Sequence, residues 1–573
     1  MHLWIYFNME LLTPKKTDFY FLPLGGSGEI GMNLNLYGHD GQWLIVDCGI
    51  TFGDIDHPSV DIVLPDISSI EKHTDKISGL ILTHAHEDHI GAVHYLWPYL
   101  KCPIYATKFA AEVLKFKFRE NDIDINDDEL EINIIETDTI FSVGVFDIEV
   151  INMTHSILEP TGLLISTKVG TLFHTGDWKI DFNPQIGKAI DKKRLKELEK
   201  KNILAMVCDS TNIFVKGNSG SEEEVIDKLR EEIRESKNRV FVTTFASNIM
   251  RLKTIVSIGH SLGRKIAFAG RSMHRMLEIA NNCGYLSDLP PLIKEKDINK
   301  VAKKDILIIC TGSQGEPRGA LNRIANGDHQ KISLNKGDKV IFSSRVIPGN
   351  EKYISRLQNK ISDKGAEIVL SSQDLKIHVS GHPARDELEQ MYNWVKPNAL
   401  IAVHGETRHL NAHAEFAKQH QIKNAIPAKN GSMLAITDKF IKLIGEVESG
   451  RLVIDGNYII NRNSEVLKTR HKMMYNGVIN IVLFLNKENM FLSKPSIFVD
   501  GVVDKNIDEN PEEFLMEIIM SQVREIEKID STNKSKITEE LVSELKRKIK
   551  SKFLKKPLIN LKIEVIEKKR AYV

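Results

Sequence analysis

Four side chains of the kind that bind metal fall within six residues of one another: His84, His86, Asp88 and His89. The apolar run Ile81-Leu-Thr leads into them, and a helix-type segment follows. Burying three imidazoles and a carboxylate at a strand end is costly unless something compensates. A divalent ion supplies that compensation and suits an imidazole-plus-carboxylate set. His84 and His86, two apart on an extended segment, can converge on one ion, and Asp88 and His89 at the following helix start point to a second. Three further polar residues close later apolar runs: His155 after Asn152-Met-Thr, Asp177 after Phe173-His-Thr-Gly, and His404 after Ile401-Ala-Val. Alone, each reads as a loop residue. Joined to the cluster, they complete a site with three ligands per ion and one bridging carboxylate. A pair of ions so held lowers the pKa of water and neutralises developing charge, which is the chemistry of a metal-dependent hydrolase.

The elements that must position these residues can be read from periodicity. Strand-type runs occur at Phe19–Leu24, Met32–Tyr37, Trp43–Val46, Leu80–Thr83, Ile132–Ile135, Phe146–Asn152, Leu163–Lys168 and Thr171–His174. Helical patterning appears at Ala92–Leu100, Lys108–Phe118 and Arg194–Lys200, so the first 210 residues predict a strand-rich α/β sandwich. Near Gly217 the rhythm changes. Ser221 and Glu224 form a capping-box pattern that opens a helix to about Ser236. Strand–helix alternation then runs from Val240–Thr244 to Glu367–Leu370, the pattern of a βαβ domain with a mainly parallel sheet. A helix at Arg385–Val395 and a strand at Ala399–His404 resume the first style, and a lysine-rich α+β segment begins near Arg470.

Composition sets outer bounds. The chain has 573 residues, 77 basic and 77 acidic side chains and 42% hydrophobic residues, which fits several structural units of a globular protein. A net charge of zero gives no support to nucleic-acid binding, so any phosphate-binding surface must be local or owe its charge to bound metal. The five cysteines are scattered and form no CxxC pair, against both a disulfide framework and a cysteine-ligated zinc site. No apolar run reaches the roughly 18 residues of a membrane helix. Residues 1–8 read as an upstream start-site artefact or a disordered tail, with Met9 opening a more ordinary start. One motif misleads: Gly26-Ser-Gly28-Glu-Ile-Gly31 matches the dinucleotide fingerprint GxGxxG, but a strand-type run follows where that fingerprint needs a helix N-terminus. A tight β-turn is the expectation.

The spacing HxHxDH followed by distant His, Asp and His resembles the metallo-β-lactamase superfamily. The resemblance implies that His84, His86 and His155 hold one metal, that Asp88, His89 and His404 hold the other, and that Asp177 bridges them. It also implies that Asp47, ending the run Leu44–Val46, orients the site from outside. Val207-Cys-Asp209-Ser-Thr-Asn212, His378-Val-Ser-Gly-His382 and Val403-His404-Gly-Glu406 look like the motifs of the β-CASP subgroup, which acts on nucleic acids. Histidine at position 404 accompanies its RNA-directed members. Further strings resemble bacterial ribonuclease J: Leu24–Asn33, Thr243–Asn248, Thr311–Pro317 and Ser343–Glu351. Ala85, where the family often has glycine, and Arg345 in the Ser-Ser string depart from its pattern.

That resemblance implies a metallo-β-lactamase αββα sandwich with an inserted βαβ (β-CASP) domain and a small α+β C-terminal domain. The expected boundaries are an N-terminal tail at 1–16, the sandwich at 17–216 and 378–455, the β-CASP domain at 217–377, a linker at 456–469 and the C-terminal domain at 470–573. The implied activity is RNA phosphodiester hydrolysis, both 5′–3′ exonucleolytic with a 5′-monophosphate preference and endonucleolytic, in mRNA decay and rRNA processing in the cytoplasm. Two divalent ions are implied, with zinc expected and manganese the alternative. His378, Asp177 and Asp47 are the expected catalytic residues, with His378 as transition-state stabiliser or proton donor, Asp177 as the bridging carboxylate and Asp47 as the orienting residue. The loops holding His378, Val379, Ser380, Gly381 and His382, and Ser343, Ser344, Gly349 and Asn350, are expected to cradle the terminal phosphate. RNA is the expected partner, with a homodimer or homotetramer built through the C-terminal domain and no membrane association. The alternatives are a DNA-directed β-CASP nuclease, or a non-catalytic RNA-binding subunit, which should have lost metal ligands.

Overall fold

A computed structural model describes residues 13–53, 59–121, 130–372, 375–486, 492–504, 506, 511–526 and 534–566. The expected start-site artefact or tail at residues 1–8 lies outside them. The chain divides into two compact units, Met1–Thr51 with Leu64–Arg451, and Phe52–Val63 with Leu452–Val573.

The first unit is built on two stacked sheets. One has eight strands among the described residues, in the order Ile441–Glu446, Ser432–Ile436, Phe19–Gly25, Leu34–His39, Gln42–Val46, Ile77–Leu82, Ile104–Ala106, Ile132–Ile134. The other has seven: Ile140–Val143, Phe146–Asn152, Thr161–Thr167, Gly170–His174, Ile203–Asp209, Ala399–Val403, Asn424–Pro427. Alternation along each strand decides which core a residue joins. Ala205, Val207, Ile401 and Val403 face inward with Phe21, Tyr37, Val46 and Ile81 of the facing sheet. Met206, Cys208, Leu400 and Ala402 face outward under the helices Arg385–Val395 and Thr407–Gln419, against Leu388, Met391 and Leu410. Both faces of the second sheet are therefore covered, as a metallo-β-lactamase sandwich requires.

The inserted domain has a parallel sheet in the order Lys265–Ala269, Ile306–Cys310, Val240–Thr243, Lys339–Phe342, Glu367–Leu370. Its helix opens at Glu224 rather than Ser221. The cap forms around Ser221: Glu224 Oε1 accepts from Ser221 N at 2.9 Å, and the Ser221 hydroxyl accepts from Glu223 N at 3.2 Å, rather than from Glu224 N, while donating to Asp181 Oδ1 at 2.8 Å. A strand, Leu34–His39, follows the GxGxxG segment as expected, but the segment is not a simple β-turn: Gly26, Gly28 and Gly31 hold φ of 79, 99 and 95°, and Ser27–Gly28 pairs in parallel with Gly405–Glu406.

In the second unit Val478–Leu485 pairs with Ser496–Asp500 and Leu558–Val565. Its alternate residues Ile479, Ile481 and Leu483 pack under Leu515, Ile519, Leu541 and Leu545 of two helices. Residues 456–469, expected as a bare linker, contain the strand Tyr458–Asn461 and the start of the helix Glu465–Asn476. Short apolar pieces such as Tyr458-Ile-Ile carry too little periodicity to mark a strand on their own. The grouping of residues 52–63 with this unit was not expected from sequence.

Candidate metal centre

The site gathers where parallel strands end. Gln42–Val46 and Ile77–Leu82 run side by side, and Asp47 N donates to Ile81 O at 2.9 Å, so Asp47 and the Thr83–His89 loop emerge together. In the facing sheet the adjacent parallel strands Gly170–His174, Ile203–Asp209 and Ala399–Val403 deliver Asp177, Asp209 and His404. Asp47 and His404 hold positive φ, 64 and 52°, a conformation that side chains with a Cβ seldom adopt and that the surrounding structure must enforce.

Three imidazole nitrogens converge. His84 Nε2 and His155 Nε2 each lie 3.1 Å from His86 Nδ1. Ligands of one tetrahedral ion with bonds of about 2.0–2.1 Å stand roughly 3.3 Å apart, close to this spacing. Beside them, Asp177 Oδ2 lies 3.2 Å from His89 Nε2, 3.5 Å from His404 Nε2, 3.7 Å from His155 Nε2 and 3.9 Å from His84 Nε2. Asp88 Oδ2 lies 3.6 Å from His89 Nε2 and 3.7 Å from His404 Nε2. Two ligand groups result, His84–His86–His155–Asp177 and Asp88–His89–Asp177–His404, joined through one carboxylate.

The outer ring nitrogens explain why the inner ones point inward. His155 Nδ1 donates to Gly381 O at 2.6 Å, and His404 Nδ1 to Asn33 Oδ1 at 3.1 Å. The Thr83 hydroxyl donates to Asp47 Oδ2 at 2.8 Å and accepts a hydrogen bond from His84 Nδ1 at 3.0 Å. His89 Nδ1 lies 2.7 Å from Asp47 Oδ2. For His155, His404 and His84 the contact fixes a tautomer whose free lone pair faces the centre, while Asp47 orients the His89 ring.

Burial holds the pKa values of His84 and His155 well below the ordinary histidine value and brings His86 to about 4, so all three are neutral donors. His89 moves the other way: burial would lower it, but Asp177, Asp88 and Asp47 raise it well above. Burial would raise the Asp177 carboxyl, yet His404, His89 and His382 hold it well below the carboxylate range. The acidic half thus calls for positive charge. His404 Nε2 is buried without a hydrogen-bond partner, a loss of about 1–3 kcal/mol for a neutral polar group. A divalent cation fits that vacancy of partners and this donor set.

The expected phosphate-binding residues divide between two places. His382 joins the centre: its Nδ1 is 2.7 Å from Asp209 Oδ2 and 3.8 Å from Asp177 Oδ2, and it forms a third ligand-type group with Asp177, Asp209 and His404. Burial opposes its charge, but Asp209 and Asp177 raise its pKa to about 9. His378, the expected proton donor, does not enter any of these groups. It lines a pocket of ≈ 560 Å³ with Ser344, Val379 and Ser380, and burial with Arg251 lowers its pKa to about 3. Gly381 serves through its carbonyl to His155. A Cβ there would sit 2.7 Å from His155 Cε1, so only glycine allows the approach.

Ser343 is not available to a phosphate. It is fully buried, its hydroxyl donating to Ile377 O at 2.7 Å and accepting from Arg251 Nη1 at 2.6 Å. Gly349 and Asn350 do not line the pocket; Gly349 N donates to Glu351 Oε2 at 2.9 Å at the start of the helix Glu351–Asp363. Sequence reasoning passed over the roles of Asn33 and Asn212. Asn33 bridges His89 and His404, and Asn212 Nδ2 donates to Ser380 Oγ at 2.8 Å and His382 O at 2.9 Å. Asn33 stood in a glycine-rich string that read as turn chemistry, and only the tertiary contact gives it a role.

Comparison with known proteins agrees with this architecture. Residues 32–177 match the metallo-beta-lactamase superfamily, 237–361 the family described as Ribonuclease J, beta-CASP domain, and 375–427 the Zn-dependent metallo-hydrolase RNA specificity domain. The chain is 37% identical over 549 residues to Ribonuclease J of Sinorhizobium meliloti, covering 95% of this chain and 97% of that protein. It is 36% identical over 505 residues to Ribonuclease J of Helicobacter pylori, covering 87% and 72%. A crystal structure of a protein of unknown function from Enterococcus faecalis shares the fold at a TM-score of 0.52 and 17% identity, over 73% of this chain and 100% of that one.

Proposed function

The chain belongs to the ribonuclease J family, and from that premise we propose that its centre cuts RNA both from a 5′-monophosphorylated end and at internal sites. It is a metal-dependent ribonuclease. In this reading His84, His86 and His155 would hold one divalent ion, Asp88, His89 and His404 would hold a second, and Asp177 would serve both. Zinc is the first choice and manganese the second, since imidazole and carboxylate suit either. The observation that carries the reading is the convergence on Asp177 Oδ2 of His89, His404, His155 and His84, with His404 Nε2 buried and unpartnered.

When bound, such ions lower the pKa of attacking water and offset charge on the scissile phosphate. The chain's own residues do the rest. Asp47, Thr83, Asn33 and the Gly381 carbonyl hold the ligand rings in one tautomer and orientation. His382, anchored through Nδ1 to Asp209, whose carboxylate favours the charged ring, is proposed as the donor to the leaving 3′-oxygen. His378, Val379, Ser380 and Ser344 line the pocket assigned to the 5′-phosphate. The single loop His378–His382 ties that pocket to the centre, which supports cutting near the 5′ end.

We further assign the C-terminal unit to assembly of a homodimer or homotetramer, and the work to mRNA decay and rRNA maturation in the cytoplasm. Among the described residues no helix is long and apolar enough to cross a membrane. The test is digestion of labelled RNA bearing a 5′-monophosphate, triphosphate or hydroxyl, with and without EDTA, beside matched DNA. The expected result is chelator-sensitive RNA cleavage, fastest from the monophosphate. Preferential cleavage of DNA would overturn it.

A further inference from the structure

The pocket beside His378 has three charged side chains in its lining, and they are unequal. Lys376 Nζ lies 3.0 Å from Glu224 Oε2, so those two charges offset one another. Nearby, Arg251 is bound by Glu222 at 2.8 Å and Lys179 by Asp181 at 3.0 Å. Arg345 differs. It is exposed, and its guanidinium donates to a neutral partner, the Asn212 amide oxygen, at 2.9 Å; no carboxylate forms an ion pair with it among the described residues.

A second observation points to the same place. His378 Nδ1 is buried with no hydrogen-bond partner, on the wall of this pocket. Arg345 lines the same pocket as this imidazole. The pocket thus offers a neutral imidazole, the side chains of Ser344 and Ser380, and one cation that is not already matched. A forked guanidinium beside hydroxyls suits a phosphate monoester, whose oxygens it can grip in pairs. A 5′-hydroxyl end offers no such charge.

We propose that Arg345 is a specificity-determining residue, the side chain through which this chain distinguishes a 5′-phosphorylated RNA end from a 5′-hydroxyl end. The proposal rests on the reading of the pocket given above. Its geometry also links recognition to cutting. The Asn212 amide that holds Arg345 through its oxygen tethers Ser380 and the His382 carbonyl through its nitrogen. A phosphate gripped by Arg345 is therefore registered against the loop that carries His382.

The experiment compares kcat and KM of the full chain on RNAs identical except for a 5′-monophosphate or a 5′-hydroxyl, in wild type, Arg345→Gln and Arg345→Lys. The expected result is that Arg345→Gln lowers the monophosphate-over-hydroxyl ratio of kcat/KM by about tenfold, mainly through KM. Arg345→Lys should retain part of the ratio, because a point charge remains while the fork is lost. A merely structural role would depress both substrates together and leave the ratio unchanged, which would overturn the proposal. A wild type that discriminates, with an Arg345→Gln variant that discriminates equally, overturns the proposal alone. A wild type indifferent to the terminal phosphate overturns the pocket reading and this proposal with it.

Discussion

The metal centre and the pocket beside it share the loop His378–His382 but are built on opposite plans. In the centre, polar atoms crowd one point: His84, His89, His155 and Asp177 are each no more than 2% exposed, and their outer atoms are tied to neighbours such as Asp47 and the Gly381 carbonyl. In the pocket, charges are spread and mostly matched, the walls reach solvent at Arg345 and Ser371, and His378 Nδ1 is buried without a hydrogen-bond partner. The first arrangement suits a cation and a reaction; the second suits an anion and a choice among substrates. The proposed chemistry would depend on convergence, and the proposed selectivity on the one lining charge without an ion pair among the described residues.

This contrast can be broken in order of expected effect. Changing His382→Ala should lower kcat by about 10²- to 10⁴-fold while metal content stays at the wild-type level, as befits a proton donor rather than a holder of the ion. Rapid-quench turnover with metal analysis on the same sample checks it, and wild-type turnover would return the role to His378. Asn33→Ala should weaken metal affinity by about 10- to 100-fold, because it releases the outer nitrogen of His404 without removing a ligand. Competition with a fluorescent chelator measures that, and unchanged affinity would mean that the rings are held by packing alone. The smallest effect belongs to the pocket. His378→Ala should cost about tenfold or less, seen in KM for monophosphorylated RNA and hardly in kcat, the magnitude of a single hydrogen bond.

The same contrast accounts for what the sequence could tell. His84, His86, Asp88 and His89 were legible because a strand end brings local residues together, and His155, Asp177 and His404 because each ends an apolar run. The parallel strands Lys265–Ala269, Ile306–Cys310 and Lys339–Phe342 were legible because both faces are buried and the runs are continuous. The choice between His378 and His382 was not. Both lie in one short motif with the same side chain, and only the tertiary placement separates them: His382 stands beside Asp177 and Asp209, while His378 lines the neighbouring pocket. Ser343 misled for a related reason. A serine in a glycine-rich loop reads as a phosphate ligand, whereas here it satisfies a buried arginine. The grouping of residues 52–63 with the C-terminal unit depends on long-range pairing that no local period records.

The most direct test of the central claim is the divalent metal content of wild type and Asp177→Asn, measured by mass spectrometry alongside RNA cleavage by the same samples. The account predicts two ions per chain in wild type, and in Asp177→Asn a loss of bound metal together with cleavage down to the chelator-treated background. An Asp177→Asn chain that keeps its metal and cuts RNA at the wild-type rate would contradict it.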